Sequence, residues 1–235
     1  MKWQLTTLDE AGSTNDDVAG AARAGAPEGL AIFARQQSAG RGRQGRVWQS
    51  PPGNVSLSLL LRPPPEKTPA YGQLAFVAAL AVGEAVGKAG ADWRLKWPND
   101  VFIHGRKVSG ILLESEPGWV VAGMGVNVQH CPPVADKPVT SLALEGLETT
   151  PEQVVADILE AFGNWYTLWQ HEGFMPLQRA WLERAHNLGA NIKVALATGQ
   201  EAIGRLDGLD SDGALLLEKA DGTQERILAG DVFFA

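Results

Sequence analysis

Glycine and arginine alternate in one short segment of this chain, Gly40-Arg41-Gly42-Arg43-Gln44-Gly45-Arg46, and Trp48 follows two residues later. Glycine allows backbone N–H groups to approach a ligand closely, and arginine binds carboxylate or phosphate through paired hydrogen bonds. Like charges so close together repel each other, so we expect the segment to be mobile until an anion binds. A flexible solvated loop and a short RNA-binding arm remain the alternatives for this segment alone. It is not a P-loop, because Gly-Lys-Ser and Gly-Lys-Thr do not occur in the sequence.

A second segment whose residues could take part in a reaction is Lys96-Trp97-Pro98-Asn99-Asp100. The lysine ends a predicted strand between tryptophans, and a buried ammonium group needs an anionic partner. Lys96 therefore either faces a carboxylate and a phosphate as they react, or extends past Trp93 and Trp97 toward solvent. Asn99 and Asp100 suit a turn whatever the function.

Several neutral polar residues and strand glycines are weaker candidates. Ser13, Thr14 and Asn15 either line a pocket or cap a helix, and Gln37 suits a urea or amide ligand but equally suits a solvent-facing position. Glycine inside a strand marks a bulge or a close backbone approach, so a base or sugar could lie against Gly110 or the 123–127 stretch. The alternative for both stretches is a glycine required by packing.

The charge distribution favours a small anionic ligand over nucleic acid. The formal net charge is −7, which argues against a general nucleic-acid binder. From Gly29 to Pro65 there is no Asp or Glu, yet this stretch holds the arginines 35, 41, 43, 46 and 62. Such a local positive field inside an acidic protein suggests one anion held at one place.

Cysteine, histidine and hydropathy patterns exclude several other classes. Cys131 is the only cysteine, so we expect neither a disulfide framework nor a thiolate metal site, and the four histidines lack metal-ligand spacing. No Gly-x-Ser-x-Gly nucleophile motif is present. The N-terminus lacks a signal-peptide core, and no apolar run approaches the roughly 20 residues of a membrane span. We therefore expect a cytoplasmic protein without a membrane partner.

These segments must be positioned by a mixture of helices and strands. Helices are predicted at about 16–24, 68–90, 151–172 and 177–186, and strands at 30–34, 55–61, 93–97, 101–103, 107–114, 119–124 and 125–128. Apolar and polar residues alternate in the predicted strand 55–61, which indicates that only one of its faces is buried. From residue 187, five short apolar segments separated by turns predict a small all-β unit resembling an SH3-like barrel. The chain is thus predicted to divide into domains 1–186 and 187–235.

Together and in this order, these signals resemble one family, the biotin–protein ligases, whose fold is related to class II aminoacyl-tRNA synthetases. The resemblance implies an α+β fold, with a mixed sheet and helices followed by the SH3-like β unit, and it covers essentially the whole chain. It is carried by Ser13-Thr14-Asn15, Gln37, the 40–46 segment with Trp48, the 96–100 segment, Lys107 to Glu114 and Gly123 to Asn127.

The resemblance also implies roles for individual residues. The biotin site would consist of Ser13, Thr14, Asn15, Gln37, Arg41, Gly42, Arg43, Lys96 and Gly110. The nucleotide site would consist of Arg43, Arg46, Trp48, Lys96, Asn99, Asn127 and Ser141. Lys96, Arg41 and Arg43 would be catalytic, by stabilising negative charge at the α-phosphate. ATP and Mg²⁺ are implied, and the sequence indicates no metal ligands.

The implied reaction joins biotin to AMP and passes biotin to a lysine of a biotin carboxyl carrier domain. Many bacterial members begin with a DNA-binding domain, but here the Ser-Thr-Asn match begins at residue 13, so we expect no DNA partner. Edge strands of the central sheet could pair between two copies of the chain, so a homodimer is a further possibility that the sequence does not decide. A lipoate–protein ligase is the nearest alternative, although its Arg-Arg-x-Ser-Gly-Gly-Gly run is missing. A non-catalytic biotin or nucleotide sensor and an RNA-binding module are the others.

Overall fold

A computed structural model describes residues 1–132, 138–196 and 199–234 of the protein. Its helices are α1 (Thr14–Arg23), α2 (Leu74–Lys88), α3 (Pro151–Glu172) and α4 (Met175–Glu183). The first seven strands are β1 (Gln4–Leu8), β2 (Leu30–Ala34), β3 (Val55–Leu61), β4 (Trp93–Lys96), β5 (Asp100–Ile103), β6 (Arg106–Glu116) and β7 (Trp119–Val126). The last five are β8 (Asn191–Ala195), β9 (Glu201–Leu209), β10 (Leu215–Glu218), β11 (Gln224–Ile227) and β12 (Asp231–Phe234).

The first seven strands form one mixed sheet in the order β1-β2-β3-β7-β6-β5-β4. Strands β1 and β2 pair in parallel, and the other neighbours are antiparallel. Side chains alternate between the two faces of a strand, so Leu57, Leu59 and Leu61 enter the main core with α2 and α3. On the other face, Leu60 packs with Val18 of α1.

That second face is only partly covered, and this creates the space for a site. Helix α1 packs against β2, β3 and β7, next to the Leu60 end of β3. Toward the other end of β3, the same face presents Ser58 and Ser56, opposite Gly123 and Gly125 of β7. Small side chains here leave a depression above the sheet.

The second sheet is antiparallel, with strand order β11-β10-β9-β8-β12. It is held against the first unit by the Trp97 indole, which donates a hydrogen bond to the Gly213 carbonyl over 3.1 Å. Gln178 of α4 donates in the same way to the Leu209 carbonyl over 2.7 Å. The predicted α+β architecture is confirmed, whereas the domain boundary at residue 186 stays a proposal.

Four local expectations differ from the structure. Strand β3 is buried along its whole length rather than half-buried, because α1 covers part of its second face. Thr68 does not begin a helix: it lies inside a 3-10 helix at Pro65–Gln73, and its hydroxyl donates to the Pro65 carbonyl. Strand β1 was not predicted. The two segments predicted at 119–124 and 125–128 form one strand, Trp119–Val126.

The stretch Pro65–Lys88 is long and apolar enough to cross a membrane by length and composition, contrary to the expectation from the sequence. In the most apolar 18-residue window of this stretch, 72% of the window is buried inside the protein. Its second part, α2, packs against α3 in the core.

Candidate functional site

A cavity of 670 Å³ is lined by residues of both sheets, of the start of α1 and of the glycine–arginine segment. Its walls include every residue predicted for the site except Ser141, namely Ser13, Thr14, Asn15, Gln37, Arg41, Gly42, Arg43, Arg46, Trp48, Lys96, Asn99, Gly110 and Asn127. Segments distant in sequence thus meet at one place.

One end of the cavity is neutral and polar. The Gln37 amide oxygen accepts hydrogen bonds from the Thr14 backbone N–H over 2.8 Å and from the Thr14 hydroxyl over 3.1 Å. The Gln37 amide NH₂ donates to Ser50 over 2.9 Å. The Ser58 hydroxyl lies 2.7 Å from that of Thr14 and donates to the Asn15 side-chain oxygen over 2.6 Å. These bonds fix the orientation of amide and hydroxyl groups suited to a neutral amide-like ligand.

Asn15 links this neutral end to an ionic cluster. Its NH₂ donates to Glu114 over 2.7 Å, and Glu114 also lies 3.3 Å from the Arg41 guanidinium. Arg41 binds Asp16 through two bonds of 2.6 Å. The hydrogen bond from Arg41 lowers the pKa of the Asp16 carboxyl, and the same bond raises the pKa of Arg41. Arg41 is therefore neutralised by the protein's own carboxylates.

The other two arginines of the segment reach the second sheet. Arg46 pairs with Asp231 of β12. Arg43 donates to the Asn99 side-chain oxygen over 3.2 Å and to the Gly230 carbonyl over 3.4 Å. The repulsion expected among these arginines is thus offset by carboxylates and carbonyls around the segment.

Trp48 lies directly on two glycines of the sheet. A Cβ atom added to Gly125 would lie 2.4 Å from the indole, and one added to Gly110 would lie 3.4 Å from it. The Lys107 ammonium group lies 5.5 Å from the centre of the indole ring and 2.5 Å from the Asp100 carboxylate. The strand glycines therefore make room for an aromatic side chain, with a lysine beside it.

Lys96 lies on another wall, between aromatic rings. Its ammonium group is 5.4 Å from the centre of the Phe102 ring and 6.0 Å from that of Phe233. Burial lowers the pKa of the neighbouring His186, and the positive charge of Lys96 lowers it further. The aromatic faces accommodate the Lys96 cation at the cavity wall.

Asn99, Asn127 and Ser141 take part in bonds within the chain. The Asn99 NH₂ donates to the Ile111 carbonyl, and the Asn127 NH₂ donates to the Thr140 carbonyl over 3.0 Å. Both asparagines still border the cavity. Ser141 is fully buried outside the cavity lining, and its hydroxyl accepts the Leu144 N–H over 3.2 Å as part of a turn. The structure therefore gives no support to a nucleotide contact by Ser141.

Sequence reasoning did not single out Lys107, Glu114 or Asp231 as site residues. Lys107 and Glu114 lie at the two ends of the 107–114 stretch that resembled the family, so the sequence held a signal for them. Asp231 is 185 residues from its partner Arg46, and nothing in its sequence surroundings indicated that contact. Across residues 1–132, 138–196 and 199–234, no group of three or more His, Cys, Asp or Glu could hold a metal ion.

Comparison with known families gives two matches. Residues 13–129 match the biotin/lipoate A/B protein ligase family, and residues 188–235 match the biotin protein ligase C-terminal domain. The chain is 42% identical to a biotin–[acetyl-CoA-carboxylase] ligase of Paracoccus denitrificans, with 86% of this chain and 89% of that protein covered. It is 35% identical to the bifunctional ligase/repressor BirA of Bacillus subtilis, with 99% and 74% covered.

Among solved structures, the chain resembles the biotin protein ligase of Aquifex aeolicus in complex with biotin and ATP. The TM-score is 0.86 at 28% identity, and the match covers 99% of this chain and 98% of that one. A biotin protein ligase of Leishmania major in complex with biotinyl-5-AMP matches with a TM-score of 0.66 at 26% identity, covering 96% and 99% of the two chains.

Proposed function

Because this chain belongs to the biotin/lipoate A/B protein ligase family, and within it resembles the biotin protein ligases, we propose that its cavity is where biotin and ATP react. The product would be biotinyl-5′-AMP, whose biotin then passes to a lysine of an acceptor protein. Neither the family match nor the relatives favour the sensor or RNA-binding alternatives.

The single observation that carries this proposal is the polarity of the cavity. The end formed by Thr14, Asn15 and Gln37 offers neutral donors and acceptors, which match the ureido ring of biotin. The cations Lys96, Lys107 and Arg43 lie on the remaining walls, as a carboxylate and a triphosphate require. A ligand that is neutral and polar at one end and anionic at the other would match the neutral end and the cationic walls of this cavity.

In the first step, a biotin carboxylate oxygen attacks the α-phosphorus of ATP, and the bond to pyrophosphate breaks. Negative charge builds up on the phosphoryl oxygens, and fixed cations close to them lower the barrier. Lys96 and Arg43 are proposed to stabilise this charge. Arg41 is proposed to release Asp16 and to bind the ligand anion instead. Lys107 is proposed to act with them, because its ammonium group lies beside Trp48 and above Gly110.

Trp48, Asn99, Arg46 and Asn127 are proposed to hold the nucleotide. The Trp48 indole offers an aromatic face, and Asn127 borders the cavity on the β7 side. Gly42 would bring the backbone of the segment close to the reacting groups, and Ser13 would complete the biotin end. Ser141 is left out of the nucleotide site, since its hydroxyl is used within its own turn.

In the second step, the acceptor lysine amine attacks the acyl carbon and AMP leaves, so no nucleophile from the enzyme is required. The mixed anhydride must survive until the acceptor arrives. Closure of the glycine–arginine segment over the cavity would exclude water during that interval. The contacts of Arg43 and Arg46 with Asp231 of β12 support such a closed position.

Magnesium would enter with ATP. Mg²⁺ is typically held by one or two carboxylates together with substrate phosphates, and the carboxylates of Asp100 and Asp231 border the cavity. Asp100 is paired with Lys107 and Asp231 with Arg46, so the ion would be held mainly by the substrate phosphates, whose charge it would neutralise. The proposed acceptor is the biotin carboxyl carrier domain of a carboxylase, in keeping with the name of the Paracoccus denitrificans relative. A cytoplasmic location and a homodimer stay proposals.

Transfer to an acceptor tests the complete function. Purified protein, Mg-ATP and biotin would be mixed with a biotin carboxyl carrier domain, and the acceptor mass followed. We expect a mass increase of one biotin on the intact domain and none on a variant whose acceptor lysine is replaced by arginine. An unmodified carrier domain, or equal labelling of both carriers, would contradict the proposal.

A further inference from the structure

Ser56 carries a buried hydroxyl group that none of the other described residues satisfies. Three side-chain oxygens in the described parts of the chain are fully buried without a hydrogen-bond partner: those of Ser56, Tyr71 and Ser109. Of these three residues, only Ser56 lines the cavity. A buried polar group without a partner is destabilising, so its presence at a binding site indicates a partner that arrives with the ligand.

The position of Ser56 on β3 identifies the part of the cavity that it faces. Side chains two residues apart in a strand point to the same face, about 7 Å from each other. Ser56 therefore lies next to Ser58, whose hydroxyl belongs to the neutral polar end with Thr14 and Asn15. In the other direction across the sheet, Ser56 pairs with Gly125, the residue on which Trp48 rests.

We infer that the Ser56 hydroxyl is a specificity-determining contact that hydrogen-bonds the ring system of the bound acid. This inference rests on the proposed function, which places the ureido group at Thr14, Asn15 and Gln37 and the carboxylate at the cationic walls. The ring system must then span the floor between the neutral end and Trp48, where Ser56 lies. A hydroxyl can donate or accept there, whereas an apolar ring would leave it unsatisfied.

The inference explains why a polar residue occupies this strand position. Other residues of β3, including Leu57, Leu59 and Leu60, are fully buried and apolar. Ser58, although also fully buried, has partners of its own. Ser56 is 3% exposed, and no described protein group hydrogen-bonds its hydroxyl. Its benefit would arise only in the complex, through preference for a ring that bears polar atoms.

Ser56→Ala tests this directly, since it removes one oxygen and leaves the strand geometry unchanged. Titration calorimetry would measure the Kd of biotin, and separately that of Mg-ATP, with the full chain. Ser109→Ala is the matched control, because Ser109 is also buried without a partner but lies outside the cavity lining. Thermal unfolding of the ligand-free proteins would verify that both variants fold.

We expect Ser56→Ala to raise the Kd of biotin by about three- to tenfold, as the loss of one hydrogen bond does, with the Kd of Mg-ATP unchanged. Ser109→Ala should leave both values unchanged, and neither variant should lower the unfolding temperature. An unchanged biotin Kd, or a loss confined to Mg-ATP, would overturn the role of Ser56 alone. Failure of the unaltered protein to bind biotin would instead overturn the proposed function and this inference with it.

Discussion

The Arg46 guanidinium pairs with the Asp231 carboxylate, and this contact joins the glycine–arginine segment to the C-terminal sheet. Asp231 also lies 4.0 Å from Arg43, so one carboxylate of β12 faces two cations of the segment. A segment of like charges is thereby held in a defined position by a residue almost at the end of the chain. The C-terminal sheet thus contributes directly to the wall of the cavity.

Asp231→Asn keeps the shape of the side chain and removes its charge, so the segment should open more often. We expect biotinyl-adenylate to leave the enzyme about two- to fivefold faster, the range for one partly exposed ion pair. Release would be followed after rapid mixing in the absence of acceptor. Glu225→Gln, which breaks the ion pair of Glu225 with Lys219 outside the cavity, should have no effect. Equal release rates from all three proteins would remove the anchoring role of Asp231.

Lys96→Ala should slow adenylate formation in a single turnover by about 10²–10³, the usual effect of losing one charge-stabilising group. Lys193 provides a matched control, because it also lies against Phe233, at 5.9 Å, but does not line the cavity. Lys193→Ala should form adenylate at the normal rate. A near-normal rate for Lys96→Ala would exclude Lys96 from the charge-stabilising set.

Lys107→Met removes a charge and keeps most of the length of the side chain. We expect a loss in adenylate formation of the same order as for Lys96, about 10²–10³, because Lys107 lies beside Trp48 and Asp100 on the same cavity. Arg106→Ala changes the neighbouring residue, which instead pairs with Glu145 outside the cavity. If both substitutions had equal and small effects in quenched-flow assays, Lys107 would be only a structural partner of Asp100.

Gly125→Ala places a methyl group 2.4 Å from the Trp48 indole and should push the ring off the sheet. We expect ATP to bind about tenfold more weakly, in line with the cost of overpacking a tight contact. Gly20→Ala in α1 is the control, since nothing lies within 4 Å of the added atom. Equilibrium binding would be measured for both. Unchanged ATP affinity in Gly125→Ala would show that the position of Trp48 does not matter for the nucleotide.

Local patterns were sufficient to predict most elements. The helix predicted at 151–172 is α3, in which the apolar residues from Val154 to Trp169 follow helical spacing, and the Thr150 hydroxyl caps it by accepting the Gln153 backbone N–H. Strand β1 could not be predicted, because Gln4–Leu8 is mostly exposed and is defined by its parallel pairing with β2. Thr68-Pro69 has the local chemistry of a helix start, but the chain there first forms a 3-10 helix.

The site was predictable where residues lie within contiguous motifs. The 40–46 and 96–100 segments and Ser13-Thr14-Asn15 all reach one cavity, as expected from their resemblance to one family. The contacts of Asp231 and the unsatisfied hydroxyl of Ser56 depend on pairing between distant segments, which no local pattern encodes. The role of Ser141 stays a prediction from the resemblance: its hydroxyl accepts a hydrogen bond within a turn, and the residue lies outside the cavity lining.

Adenylate formation without an acceptor tests the central claim most directly. The protein would be mixed with Mg-ATP and either biotin or lipoate, with pyrophosphate release and the adenylate followed by mass spectrometry. We expect pyrophosphate and biotinyl-5′-AMP with biotin only, and neither product when EDTA removes the magnesium. Lipoyl-adenylate in place of the biotin product would assign the site to the other branch of the family, and no adenylate with either acid would contradict a ligase function.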